Sequence, residues 1–193
     1  MERLEYIRKQ PMSSIRLLIL GVLMRKQPIH GYDVRRELEV YGADRWANVA
    51  YGSIYSALNK MADEELVVAT NSEQGERAGA RTEYVITERG RTEFDRLLRE
   101  YWWDLKPTID PFQMALTFMD KLPPSELRGA LCHRADQLRS SIVTFQCLHT
   151  AQVDNPHLPR HIAENTRLML AHTETELRWI EEVVSKIERG DLP

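Results

Sequence analysis

The sequence predicts a mainly α fold of the α+β kind, and three observations carry that expectation. Apolar residues recur at helical spacing through most of the chain. The period drops to two between residues 66 and 86, and beyond the prolines of KPTIDPF the helical period returns and persists. Composition agrees: 193 residues, 42% hydrophobic, can build one medium domain or two small ones.

Ser13 or Ser14 can cap a first helix that buries Ile15, Leu18, Ile19 and Val22 and ends in RKQP. Its apolar run LLILGVLM follows basic residues as a leader's would, but no small-x-small cleavage site follows it. The run is also far too short to span a bilayer, so a buried helix, a cytoplasmic chain and no membrane partner are expected. In IHGYDVRRELEVYG a second helix places Val34, Leu38 and Tyr41 on one side and stops at Gly42. Tyr32 and Trp46 are read as core, with Trp46 anchoring the following loop.

YGSIYSALNKM begins a third helix running to about Glu65, with Ile54, Leu58 and Met61 on one face. The other face carries Ser53, Tyr55, Ser56, Asn59 and Lys60. LVVAT and RTEYVI then read as two strands around a polar, glycine-containing tip, a two-stranded hairpin that must lie on the helices. Thr87 caps a helix carrying Phe94, Leu97, Leu98, Tyr101 and Leu105.

Asp110 and Pro111 form a cap and first-turn pair for a helix with Phe112, Leu116 and Met119. Ser125 opens a long helix bearing Leu127, Leu131, Leu138, Ile142, Phe145 and His149. DNPHLP interrupts, and a last helix from about Arg160 to Arg189 carries Ile162, Met169, Leu177, Ile180, Val184 and Ile187. Two such helices pair as an antiparallel hairpin, and the apolar surface left over implies a second copy of the chain. The expected domains are residues 1–106 and 107–193.

Three helices followed by a hairpin is the order of a winged helix-turn-helix, whose last helix enters the DNA major groove while the wing lies on the backbone. That gives the polar side of the third helix a purpose. Asn59 can bond an adenine edge, Lys60 a guanine edge or a phosphate, and Tyr55 a thymine methyl or the backbone. Ser53 and Ser56 stand beside them, and helix-start amides near Gly52 and Ser53 suit a phosphate. Arg77 and Arg81 flank the wing tip, where backbone contact is wanted. His30 completes the candidate DNA contacts, although at a helix start it serves equally as a cap or packing residue.

At this point HGYDVRRELE, WANVAYGSIYSALNKM and ARTEYVITERGR together resemble the PadR family of bacterial transcriptional regulators. The motifs are His30-Gly31-Tyr32, Gly52-Ser53-Ile54-Tyr55, and Arg81 through Gly90, within about residues 15 to 100. The family usually has proline before that glycine and after that tyrosine; here Tyr51 and Ser56 stand there. The second half resembles, in pattern, the helical dimerisation region of a long-tailed subgroup. The resemblance implies a homodimeric repressor on an inverted repeat, its recognition helices about 34 Å apart. It also implies release by a small molecule such as a phenolic acid or hydrophobic drug.

Other readings stand beside this one. The polar helix face could be ordinary solvated surface. Residues up to 104 hold 16 basic and 17 acidic side chains, so any DNA contact is a local patch, and a winged helix that binds proteins rather than DNA is the alternative. Trp102 and Trp103 in YWWD are candidate contacts for an aromatic or drug-like effector, or else packing between domains or subunits. Cys132 and His133, with Cys147 and His149, invite a metal-sensor reading, yet the pairs lie roughly 22 Å apart on one helix, so no metal site is assigned. The two cysteines cannot bridge within that helix, which fits a reducing compartment. No phosphate loop, HExxH or G-x-S-x-G occurs, so no cofactor, catalytic residue or enzymatic activity is expected.

Overall fold

The computed structural model describes residues 2–47, 51–71, 82–105 and 110–193. Two compact units divide the chain, Met1–Pro107 and Thr108–Pro193. In the first, α1 (Glu2–Arg25), β1 (Ile29–His30), α2 (Gly31–Val40), α3 (Ala43–Trp46) and α4 (Tyr51–Asp63) precede β2 (Val67–Asn71), β3 (Thr82–Ile86) and α5 (Glu88–Trp103).

Ser13 and Ser14 lie inside α1 rather than capping it, a correction to the expected start. Pro11 removes one backbone donor, but a helix nucleated on the buried stripe from Ile15 to Leu23 can propagate past that loss. This helix packs on α2, α4 and α5. Ile19, Leu20, Leu23, Val34, Leu38, Ile54, Leu58 and Met61 form the centre of the core, each 2% exposed or less. Arg16 of α1 adds a polar tie at its edge, 2.7 Å from Glu64 beyond α4 and 3.6 Å from Glu93 on α5.

The wing is a three-stranded antiparallel sheet in the order β1-β3-β2, not a two-stranded hairpin. Ile29 pairs with Tyr84 and His30 with Glu83, so β3 is the central strand. Two residues are too few to show a period, which is why β1 has no signature in the sequence. On β3 the expected face is realised, with Tyr84 and Ile86 buried.

Helix α4 meets β2 through a left-handed turn at Glu65, φ 58°, where the Leu66 amide donates to the Met61 carbonyl at 2.8 Å. The Leu66 carbonyl is the hub of the junction between wing and α5. It accepts from the Thr87 amide at 3.1 Å and the Thr87 hydroxyl at 3.0 Å, and that hydroxyl oxygen in turn accepts the Gly90 amide at 3.0 Å. A Cβ on Gly90 would fall 2.1 Å from the same carbonyl. Threonine and glycine three apart are thus what allow α5 to start against the wing. Leu105, expected on this helix, lies beyond its end and is fully exposed.

The second unit consists of α6 (Pro111–Leu116), a 3₁₀ turn at Met119–Lys121, α7 (Pro124–Val153) and α8 (Ile162–Glu188). Asp110 Oδ1 accepts the Phe112 amide at 2.9 Å, as a cap should. Pro124, not Ser125, is the first residue of α7; proline suits that position because its missing donor is unneeded there. With 30 and 27 residues the two long helices extend about 45 and 40 Å. They run antiparallel: Arg128 meets Glu188, Arg139 meets Glu181, and near the turn Thr166 donates to Gln152 at 2.7 Å. Leu127, Leu131, Ala135, Ile180, Val183 and Ile187 form the buried seam.

Gly90→Ala should destabilise the first unit by about 1–3 kcal/mol, because the new methyl meets backbone rather than a side chain that can turn away. Denaturant unfolding checks this, and Thr87→Ala should cost about 1 kcal/mol through the lost cap.

Candidate nucleic-acid interface

The interface is built outward from α4. Ile54, Leu58 and Met61 are at most 1% exposed, and their burial against the core turns the opposite side of the helix to solvent. Ser53, Tyr55, Ser56, Asn59 and Lys60 are all exposed, as an amphipathic helix requires. Arg77 and Arg81 fall outside the described residues.

His30 is placed differently. It precedes α2 without making a side-chain cap. Its Nδ1 lies 3.3 Å from the Thr82 carbonyl and its Nε2 3.4 Å from Glu83 Oε1. A carbonyl and a carboxylate only accept, so the ring can serve either partner only through a nitrogen that carries a proton. The imidazole thereby fastens the start of α2 to the central strand of the sheet.

Gly31 makes the next contact possible. A Cβ there would stand 2.9 Å from Tyr55 Cε1 and 3.3 Å from Leu58 Cδ1, so the absence of a side chain lets the Tyr55 ring rest on α2. Tyr55 is held half-exposed rather than waving freely. Together His30, Gly31, Tyr32, Asp33, Tyr55, Thr82 and Tyr84 line a cleft of 640 Å³. Burial pushes the Tyr84 phenol above its ordinary pKa, and neighbouring Tyr55 adds in the same direction. Both effects favour the neutral phenol.

Tyr32 departs from the sequence expectation. It is 63% exposed and on the cleft rather than in the core. Its angular position carries the signal: two residues from Val34 is about 200° around a helix, off the buried stripe. Trp46 does pack against the core, from α3, with its indole N–H donating to the Tyr41 carbonyl at 3.2 Å. At the end of α5, Trp102 and Trp103 are 79% and 83% exposed.

Among the described residues, Lys60 is the basic residue of α4, and on α2 Arg36 is exposed while Arg35 is paired with Glu39 at 2.9 Å. An exposed patch of this kind can hydrogen-bond base edges and phosphates but exerts little long-range pull. Among the described residues, no group of three His, Cys, Asp or Glu side chains could hold a metal ion.

Residues 19–96, which contain α2, α4 and the three strands, match the family described as the transcriptional regulator PadR-like family. The chain carries a PadR-like domain. No curated protein matches it by sequence. Among solved structures, Bacillus subtilis PadR in complex with operator DNA shares 19% identity at a TM-score of 0.71, over 89% of this chain and 98% of that one. The Vibrio cholerae virulence activator AphA shares 22% at 0.72, over 91% and 98%. Bacillus subtilis PadR in complex with p-coumaric acid shares 18% at 0.68, over 91% and 99%. At such identities the likeness is one of fold. The PadR-like winged helix here thus has a physical basis for each motif: His30 joins β3, Gly31 admits Tyr55, and Thr87 with Gly90 seats α5 on the wing.

Gly31→Ala should push the Tyr55 ring off α2. Any DNA affinity measured by fluorescence anisotropy should then fall more, in free-energy terms, than folding stability measured by denaturation.

Proposed function

We propose that this chain is a DNA-binding transcriptional regulator that works as a homodimer in the cytoplasm, repressing from an inverted-repeat operator and responding to a small molecule. The observation that carries this reading is the exposed polar face of α4, held outward by a buried stripe within a PadR-like domain. Asn59 and Lys60 read base edges; Ser53, Tyr55 and Ser56, with Tyr32 beside them, meet backbone or thymine methyls; Arg77 and Arg81 bind phosphate from the wing. His30 acts mainly by holding α2 to the wing, at the margin of the contact.

The first unit is the DNA-binding domain and the second the dimerisation domain. Supporting the latter, Val143, Val153 and Leu168 on the long helices are each more than half exposed, and such surface calls for a cover. The operator complex of Bacillus subtilis PadR supports a DNA partner, and its p-coumaric acid complex supports an effector. Trp102 and Trp103 offer open indole faces to such an effector. The Vibrio neighbour is an activator, so a promoter–reporter assay with and without the protein reads the sign directly. Among the described residues no helix is long and apolar enough to cross a membrane.

Selection of bound DNA from a random pool should recover a palindrome with half-sites about one helical turn apart. Affinity should fall steeply with added salt, and Lys60→Ala should weaken all sequences alike while reducing the salt slope by about one. Asn59→Ala should instead relax preference at one position. No enriched sequence and no salt dependence would favour the protein-binding alternative.

A further inference from the structure

The cleft beside α4 holds more hydrogen-bonding groups than the fold uses. Tyr84 is its most buried polar side chain: only 5% of the residue is exposed, yet it lines the cleft. Among the described residues its hydroxyl has no hydrogen-bond partner, and neither have those of Tyr32 and Tyr55. Tyr41 shows the contrast, since its hydroxyl accepts from Arg25 Nη1 at 3.2 Å. The Asp33 carboxylate, on the first turn of α2, has neither a hydrogen bond nor an ion pair among the same residues. A buried phenol usually finds a partner, so the Tyr84 hydroxyl is available to a molecule that enters.

Donors and acceptors narrow the ligand. Among the described residues no lysine or arginine lines the cleft, and Asp33 would oppose an anion. Glu83 is engaged by His30, so Asp33 is the carboxylate left over. A small ammonium would meet that carboxylate but also the partly positive start of α2, where no side chain caps the helix amides. An uncharged group that donates to Asp33 and accepts from phenol hydroxyls and helix-start amides suits both sides. A vicinal diol does this, and a carboxylate is a common acceptor for a ribose diol. Burial keeps the Tyr84 phenol neutral and able to donate. The exposed rings of Tyr32 and Tyr55 offer apolar surface to the ring that carries the diol, and 640 Å³ is ample for it.

We propose that this cleft binds an uncharged vicinal diol carried on a ring, as in a nucleoside or a sugar, through Asp33 and the Tyr84 hydroxyl. An occupied cleft covers Tyr55, so a selected duplex should then bind less tightly. That consequence rests on the DNA-binding reading above, whereas the binding itself does not. Titration calorimetry on the full chain without DNA therefore separates the two. Adenosine and methyl glucoside are the probes and distinguish the two sources, while inorganic phosphate and putrescine are the charged counterparts.

At least one of the two diols should bind once per chain, at least about tenfold more tightly than phosphate or putrescine. Tyr84→Phe removes a hydroxyl that bonds nothing among the described residues, so it should keep its thermal stability while weakening the diol about fivefold. Asp33→Asn should weaken it about tenfold, and loss of one hydroxyl from the ligand, as in 2′-deoxyadenosine or methyl 2-deoxyglucoside, should cost about as much. No binding of either diol, equal binding of the deoxy compound, tighter binding of phosphate or putrescine, or full affinity in both variants would each overturn the proposal. So would a Tyr84→Phe protein impaired only in binding a duplex, because the cleft would then serve the DNA backbone.

Discussion

The burial of three side chains, Ile54, Leu58 and Met61, decides what the first unit presents to its surroundings. Each such side chain contributes roughly 1.5–3 kcal/mol when fully buried, so together they rival the net stability of a small domain, about 5–15 kcal/mol. Turning α4 by one residue would bury Tyr55 and expose Ile54. The polar face is therefore fixed by the core, and its orientation is not a matter of surface chemistry at all.

Two polar junctions carry that orientation outward. At one, His30 ties the start of α2 to β3, the central wing strand. At the other, the Leu66 carbonyl gathers Thr87 while Gly90 leaves room for α5 to start beside it. The helix, the wing and the connecting helix thus share one set of short-range constraints. A change in the tilt of α5 would act first on the Thr87 and Gly90 junction, which in the proposed regulator is the route by which a ligand would reach the DNA-binding face.

Much of this is legible in the residues. Period alone places the buried faces of α1, α2, α4 and β3, and cap chemistry places Thr87 and Asp110. The features that escape detection do so for physical causes. A two-residue strand has no period, a four-residue helix such as α3 has no amphipathic pattern, and the helix start at Glu2 is independent of the stripe that begins at Ile15. Tyr32 misleads because its aromatic character suggests the core while its angular position points away from it. The cleft at Tyr84 joins residues more than 50 positions apart, and only the pairing of β1 with β3 brings His30 to it.

The near-balance of charge in the first unit makes the face of α4 matter more, since no broad basic field would hold DNA nonspecifically. The central claim is that α4 lies against bases. A photoreactive benzophenone side chain at position 59, irradiated with a selected duplex, tests it most directly. If α4 lies in the groove, a covalent adduct will map to the major-groove edge of a base within the half-site. A duplex that binds fully yet yields adducts only when the same group is placed elsewhere, with none at position 59, would contradict it.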